Sequence, residues 1–393
     1  MKIKSVETVR LEFPPQTEHP TEHAAGEPRR EPWTAHAEVA NPMSRYPAYK
    51  RHRSSWLPKW PAVWVKVTAE DGTWGLGMTS HGRATAAVIE DHLGPLLVGE
   101  DCLAIEKCWD MMFRATKPYG TAGIACCAIS GIDLALWDLA GKITGRAVYE
   151  MLGGPARDSI FAYATGNDVD WYLECGFQAV KLACPYGPAD GLDGIEKNEE
   201  FVAEARELCG DHVEIMLDCY MAFDVEYTVR LAERLRPYRL KWIEEFLIPE
   251  DLEGHVAVRN RLPWQTLAGG EHLYTPWPFR QLIEQRALDI LQPDIFWVGG
   301  LTATREICHL ANAAGIPVIP HGGGMHQYGL HLSAAMPNTS WCEYFVGSPP
   351  GVALTPARRT RRDVVPQDSQ IFPGAGPGFG LDVEESWLLP FFG

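Results

Sequence analysis

Residues 214–219 read EIMLDC, residues 241–246 KWIEEF and residues 266–271 TLAGGE, three short apolar runs that each deliver an acid at or near their end. Short apolar runs bounded by glycine, proline or charge are the pattern of strands buried on both faces, as in a parallel sheet. The same texture recurs in both directions, at 160–164, 179–184, 289–293, 317–320 and 341–345, with an amphipathic helical pattern in each interval. Eight strands alternating with helices predict parallel βαβ units, and a sheet of eight such units closes into a barrel. No GxGxxG follows the first strand, which removes the main support for an open dinucleotide-binding sheet. The expectation is an α/β, TIM-like barrel over residues 128–350.

Reactive side chains in a parallel barrel collect at the C-terminal ends of the strands, so the polar residues that end these runs are the candidates. They are Asp218, Glu244 or Glu245, Glu271, Asp294 after DILQP, His321 after PVIP, and Glu343 in WCEYF. A hard dication takes several oxygen ligands, and carboxylates from three adjacent strand ends converge on one rim with positions left for water and substrate oxygens. A single acid in such a place is more often the N-cap of the next helix. Three in succession favour a metal. Alternation turns only one of Glu244 and Glu245 inward, and the sequence alone does not choose between them. Asp294 and His321 end successive strands, which predicts a histidine whose tautomer and basicity are set by a carboxylate, as a general base requires. The competing reading is a structural histidine at the turn His321-Gly322-Gly323-Gly324. Lys181 on the second strand either meets a substrate carboxylate or a developing negative charge, or is a surface lysine.

The flanks have a different texture. Residues 1–127 begin with an alternating strand, pass through a polar, proline- and histidine-rich stretch at about 14–60, and continue with a strand pair at 62–70 and 73–78 joined by Asp71-Gly72. Helical patterns follow at 84–93 and 105–113. This predicts a separate α+β unit, and residues 351–393 read as a tail returning over it. The net charge of −16, from 35 Lys and Arg against 51 Asp and Glu, argues against nucleic acid. An acidic protein with an anionic substrate needs a local cation. The most apolar stretch, 121–141, carries Asp133 and Asp138, which argues against a membrane span. The start lacks the apolar core of a signal peptide, and the ten cysteines show no CxxC spacing, so a cytoplasmic protein with free thiols is expected. GxSxG, HExxH and GxxxxGK are all missing, so hydrolase, zincin and P-loop readings have no local support.

The ordered set Asp218, Glu244, Glu271, Asp294, His321 and Glu343, with gaps of 26, 27, 23, 27 and 22 residues, resembles the enolase superfamily, mandelate racemase subgroup. The segments IMLDCYM, LKWIEEFLIP, GGEH, LQPD, VGGLT and VIPHG are similar to those of the L-rhamnonate dehydratases within it, as are NPMSRYPAYKRHRSSW and ISGIDLALWDLAGK. The resemblance covers nearly the whole chain. It implies a (β/α)7β barrel under an N-terminal α+β capping domain completed by the C-terminal tail, with the loop at about 14–60 closing on substrate. It further implies Mg2+ on Asp218, Glu244 and Glu271, a base dyad of His321 and Asp294, Glu343 and Lys181 at the substrate carboxylate, and Arg53 of KRHRSSW as a substrate contact. Many subgroup members carry Lys-x-Lys on the second strand, whereas this chain reads Lys181-Leu182-Ala183, which disfavours a two-base racemase. The family's upstream substrate-contacting histidine has no clear counterpart, since His23 and His36 both sit in unlike surroundings. The implied activity is dehydration of an aldonate, of L-rhamnonate or of a relative such as L-lyxonate or L-mannonate. The alternatives are an epimerase or cycloisomerase on the same scaffold and a catalytically silent binding barrel. A tetrameric or octameric homo-oligomer is the implied assembly.

Overall fold

The computed structural model describes residues 1–12, 27–50, 52–354 and 364–392. Two sheets organise it. The first is antiparallel and has four strands in the order β12-β1-β2-β3, where β1 is Ile3–Leu11, β2 is Val63–Ala69, β3 is Trp74–Thr79 and β12 is Leu388–Pro390. The Asp71-Gly72 hairpin between β2 and β3 forms as its sequence predicts, with Gly72 at φ 90°. The tail reaches this sheet through β12, whose Leu388 to Pro390 pair with β1.

The second sheet is parallel and runs β10-β4-β5-β6-β7-β8-β9. Its strands are β4 Ile160–Thr165, β5 Ala179–Ala183, β6 Glu214–Asp218, β7 Ile243–Glu244, β8 Leu267–Gly269, β9 Ile290–Leu291 and β10 Trp341–Phe345. The run at 317–320 survives only as a parallel bridge from Val318 to Leu291. Pro317 and Pro320 have no N–H to give a ladder, so a longer strand cannot form there. The tail also touches this sheet, through β11 Gln370–Ile371 paired antiparallel to β4.

Helix Ile124–Thr144 lies between the antiparallel sheet and the barrel helix Gly300–Ala313. It is long and apolar enough to cross a membrane by length and composition, yet 94% of its most apolar 18-residue window is buried inside the protein. β3 packs directly on it. A Cβ on Gly75 would stand 2.1 Å from the carbonyl oxygen of Ala135, and one on Gly77 2.0 Å from that of Gly131, so the WGLG motif is what permits the approach. The two acids of this helix are fully buried. Asp138 accepts from the backbone N–H of Leu76 and Phe379, each at 2.9 Å, and pairs with Lys142 at 2.7 Å. Asp133 accepts from the N–H and hydroxyl of Thr302 at 3.0 and 2.6 Å. Through these bonds one helix ties β3, the tail and the barrel helix Gly300–Ala313 together.

Candidate active site

Inside the barrel, Tyr163, Ala179, Met216, Trp242, Ala268, Ile290 and Ile319 form a separate apolar cluster, and Trp341 packs against it. Side chains two residues apart on a strand share a face. Two residues on from each member of that layer stand Thr165, Lys181, Asp218, Glu244, Gly270, Gln292, His321 and Glu343. A polar layer therefore rests on an apolar one at the C-terminal mouth of the barrel. Gly270, at φ 117°, brings no side chain and turns the chain so that Glu271 follows. Alternation also distinguishes the two glutamates: Glu244 points inward on the Trp242 face, whereas Glu245 leaves the strand at φ 47°. Tyr220 at φ 43° and Met221 at φ 58° bend the neighbouring strand end in the same left-handed way. Such clustered non-glycine strain is typical of functional rims.

Lys181 is the hub of the layer. Its Nζ lies 2.5 Å from Glu244, 2.8 Å from Glu343 and 3.8 Å from Asp218, and its side chain is only 1% exposed. Burial alone would lower its pKa, but the surrounding field, led by Glu244 and Glu343, raises it well above the usual lysine value. Glu244 also accepts from Trp242 Nε1 at 2.8 Å and Gln292 Nε2 at 2.7 Å. Burial still pushes its carboxyl up to about 7 against the pull of Lys181. Asp218 is raised by burial too, while it accepts from Tyr220 N–H at 2.9 Å.

The other half of the layer centres on His321. Its Nδ1 is 2.7 Å from Asp294, and its Nε2 is 3.3 Å from Glu271. Burial would lower its pKa, yet Glu271, Asp294 and Glu343 together raise it well above the ordinary histidine value. Glu271 is pushed up by burial to about 8. Glu343 behaves oppositely. Burial would raise it, but Lys181, His321 and the Gly322 N–H at 2.8 Å bring it down to about 2, and Thr165 donates to it at 2.6 Å. It is a carboxylate here, so any help it gives comes through Lys181, Thr165 and Gly322 rather than from a proton of its own.

Of the cap-loop candidates, the Arg53 guanidinium stacks 4.2 Å from the Tyr220 ring, next to Asp218. His36 is turned away, bonded to Glu31 at 2.7 Å with 82% of its side chain exposed. His23 lies outside the described residues. Sequence reasoning missed His272, which pairs with Glu245 at 2.9 Å and whose pKa is lowered by burial but carried up to about 9 by Glu245 and Glu271. Ligand atoms of Glu245, Glu271 and His272 lie within 4.8 Å of one another. It also missed Gln292, which alternation from Asp294 would have turned inward, and Trp297, whose ring lies 5.5 Å from that of His321.

The donor set suits a hard dication. Glu244, Glu271 and Glu343 are buried and Asp218 half-buried, and among the described residues these four carboxylates surround one ammonium, that of Lys181; burial raises Asp218, Glu244 and Glu271, which marks a shortage of positive charge that oxygen-ligated Mg2+ would offset.

A capped parallel barrel with an acid-lined mouth and a His–Asp dyad defines a class of metal-assisted proton-abstracting enzymes. Family models place the chain within it: the enolase C-terminal domain-like family matches residues 167–387, and the mandelate racemase / muconate lactonizing enzyme N-terminal domain matches residues 52–153. The chain belongs to the enolase superfamily, mandelate racemase subgroup. It is 40% identical to an L-rhamnonate dehydratase of Saccharopolyspora erythraea, over 87% of this chain and 88% of that protein. Among solved structures it resembles L-rhamnonate dehydratase from Gibberella zeae with TM-score 0.89 and 32% identity, covering 99% of this chain and 96% of that one. The Gibberella zeae rhamnonate dehydratase complexed with Mg matches equally, with TM-score 0.89, 31% identity and the same coverages.

Proposed function

We propose that this chain is a Mg2+-dependent hydro-lyase that dehydrates an acid sugar, with L-rhamnonate the first candidate, to a 2-keto-3-deoxy acid. The observation that carries the reading is the His321–Asp294 pair at 2.7 Å, whose Nε2 lies 3.3 Å from Glu271 at the mouth of the barrel. Asp218, Glu244 and Glu271 would hold the Mg2+, which when bound offsets the second negative charge that C2 deprotonation puts on a carboxylate. Glu244 is preferred to Glu245 as the third ligand because it shares the inward face of Trp242, whereas Glu245 leaves the strand at φ 47° and pairs with His272.

In this mechanism Asp294 accepts from Nδ1–H of His321, and with Mg2+ held by Glu271 the carboxylate field that raises the imidazole would be relieved, so that Nε2 can offer its lone pair to the C2 proton. Lys181, held by Glu244 and Glu343, presents its ammonium to the substrate carboxylate. As the C2–H electrons form the C1–C2 double bond of an enediolate, His321 Nε2 carries the proton. Those electrons then form the C2–C3 double bond as the C3–O bond breaks, His321 returns the proton to the departing hydroxyl, which leaves as water, and the resulting enol gains a proton at C3 and loses one from its C2 hydroxyl to give the 2-keto acid. One imidazole serving both steps makes the elimination syn. Ala183, two residues beyond Lys181 on the same face, carries no second base, which disfavours a two-base epimerase.

The test is incubation of the protein with Mg2+ and a panel of five- and six-carbon aldonates, assayed for 2-keto acids. Solvent deuterium entering substrate without keto product would favour the epimerase reading, and no metal-dependent turnover of any acid sugar would remove the enzyme reading. We also infer a cytoplasmic homo-oligomer of four or eight chains, supported by ten free thiols and by exposed Tyr46, Leu57, Trp60 and Ile248. Light scattering that returns a monomer mass would contradict the assembly.

A further inference from the structure

The cap side of the cleft holds another histidine in the segment between β3 and helix Gly82–Val88. The hydroxyl of Thr79 donates to the carbonyl of Phe296 at 2.9 Å, and Trp297 Nε1 donates to Ser80 Oγ at 3.1 Å, which pins this segment on the turn just beyond Asp294. His81 then adopts φ 71°, a left-handed conformation that strains an ordinary L residue. Its ring meets Trp60 edge-on at 5.4 Å and Trp297 at 6.0 Å. Trp297 in turn lies 5.5 Å from the ring of His321 and 5.4 Å from that of His272. His81 thus stands in the same aromatic wall as the dyad, but on the cap.

Nothing in the packing asks for a histidine here. Its Nδ1 is buried and has no partner among the described residues. Burial lowers the ring's pKa, with Asp294 raising it and His272 lowering it further, so the imidazole is neutral. A neutral ring has one N–H. Placing it on Nδ1 would bury an unmatched donor, so it belongs on Nε2, on the open side of this half-buried residue.

We propose that His81 is a substrate-contacting residue of the cap, donating from Nε2–H to a hydroxyl of the acid sugar beyond C3. The inference rests on the dehydratase reading and adds the group that holds the far end of its substrate, a role His36 is turned away from.

The test uses the full chain loaded with Mg2+ and L-rhamnonate, with His81→Gly and His81→Asn. In His81→Gly, KM should rise about five- to tenfold, the effect of losing one hydrogen bond. Turnover should stay within about twofold and Mg2+ affinity should not move, while the melting temperature holds or rises because glycine relaxes the positive φ. Asparagine tolerates the same φ and keeps a shorter donor, so His81→Asn should recover part of the KM. Unchanged KM in both variants overturns the contact, and so does a fall in melting temperature with KM unmoved, the signature of packing alone. A loss of turnover or Mg2+ affinity moves His81 to the metal centre and overturns the donor assignment. A parent chain that dehydrates no aldonate sinks the dehydratase reading and this inference with it, whereas an active parent with indifferent His81 variants sinks this inference only.

Discussion

Helix Ile124–Thr144 and the barrel mouth both bury acids, and they do so in opposite ways. Asp138 receives two backbone N–H groups and an ammonium, so its charge is balanced where it stands, and it joins β3 to the tail. Asp218, Glu244 and Glu343 share the ammonium of Lys181, and the ion-pair partners of Glu271 among the described residues are histidines, with Glu245 close by. Buried charge is matched in the first place, and in the second it leaves an excess of carboxylates that the proposed Mg2+ would offset. Glu244 and Glu343 have as many hydrogen-bond donors as Asp138, so the difference lies in charge: one carboxylate to one ammonium on the helix, three to one at the mouth.

Substitutions separate the two regions by what they disturb. His321→Asn should cost at least about a thousandfold in turnover while Mg2+ binding and melting temperature hold, since it removes the proton carrier and nothing else. Retention of more than a few percent of activity would take His321 out of that role. Asp138→Ala should instead cost about 3 kcal/mol of stability by stranding two buried N–H groups and Lys142, with KM unchanged in the fraction that folds. A chemical denaturation midpoint equal to the parent's would show the balanced acid to be dispensable. Glu271→Gln should raise the Mg2+ dissociation constant at least about tenfold. Calorimetric titration showing parental affinity would move the ligand assignment toward Glu245 and His272.

A pH-dependent effect concerns Asp133, whose donors are neutral. Burial pushes its carboxyl up to about 7, with the Thr302 donors pulling the other way. Its folded pKa therefore exceeds the unfolded value, so the folded state holds the proton longer. Its contribution to stability is complete below about pH 4 and is lost as pH rises through 7, by at most about 1.4 kcal/mol per unit. Asp133→Asn should remove that slope. Parallel stability-versus-pH curves for parent and variant between pH 4 and 7 would mean that Asp133 is ionised throughout.

Legibility followed periodicity. The eight apolar runs and the acids that close them are readable because burial on both faces and a two-residue period are properties of local sequence, and all but one run appears as a strand. Periodicity also carried the polar layer, and Gln292 was recoverable from it. Glu271, His272 and His81 follow no period, since each sits where the chain turns at a positive φ residue or just past one. For His36 the sequence left the question open, because a loop side chain is aimed by tertiary contacts, and it faces Glu31.

By itself the sequence determined the order of strands, the identity of the residues at their ends, and the family to which that order belongs. Which of Glu244 and Glu245 looks into the barrel, that Glu343 is held ionised, and that Trp297 links His81 of the cap to His321 were decided only in three dimensions. Local pattern sets which way a strand's side chains alternate, whereas charge state and reach depend on groups brought from distant segments into one low-dielectric space.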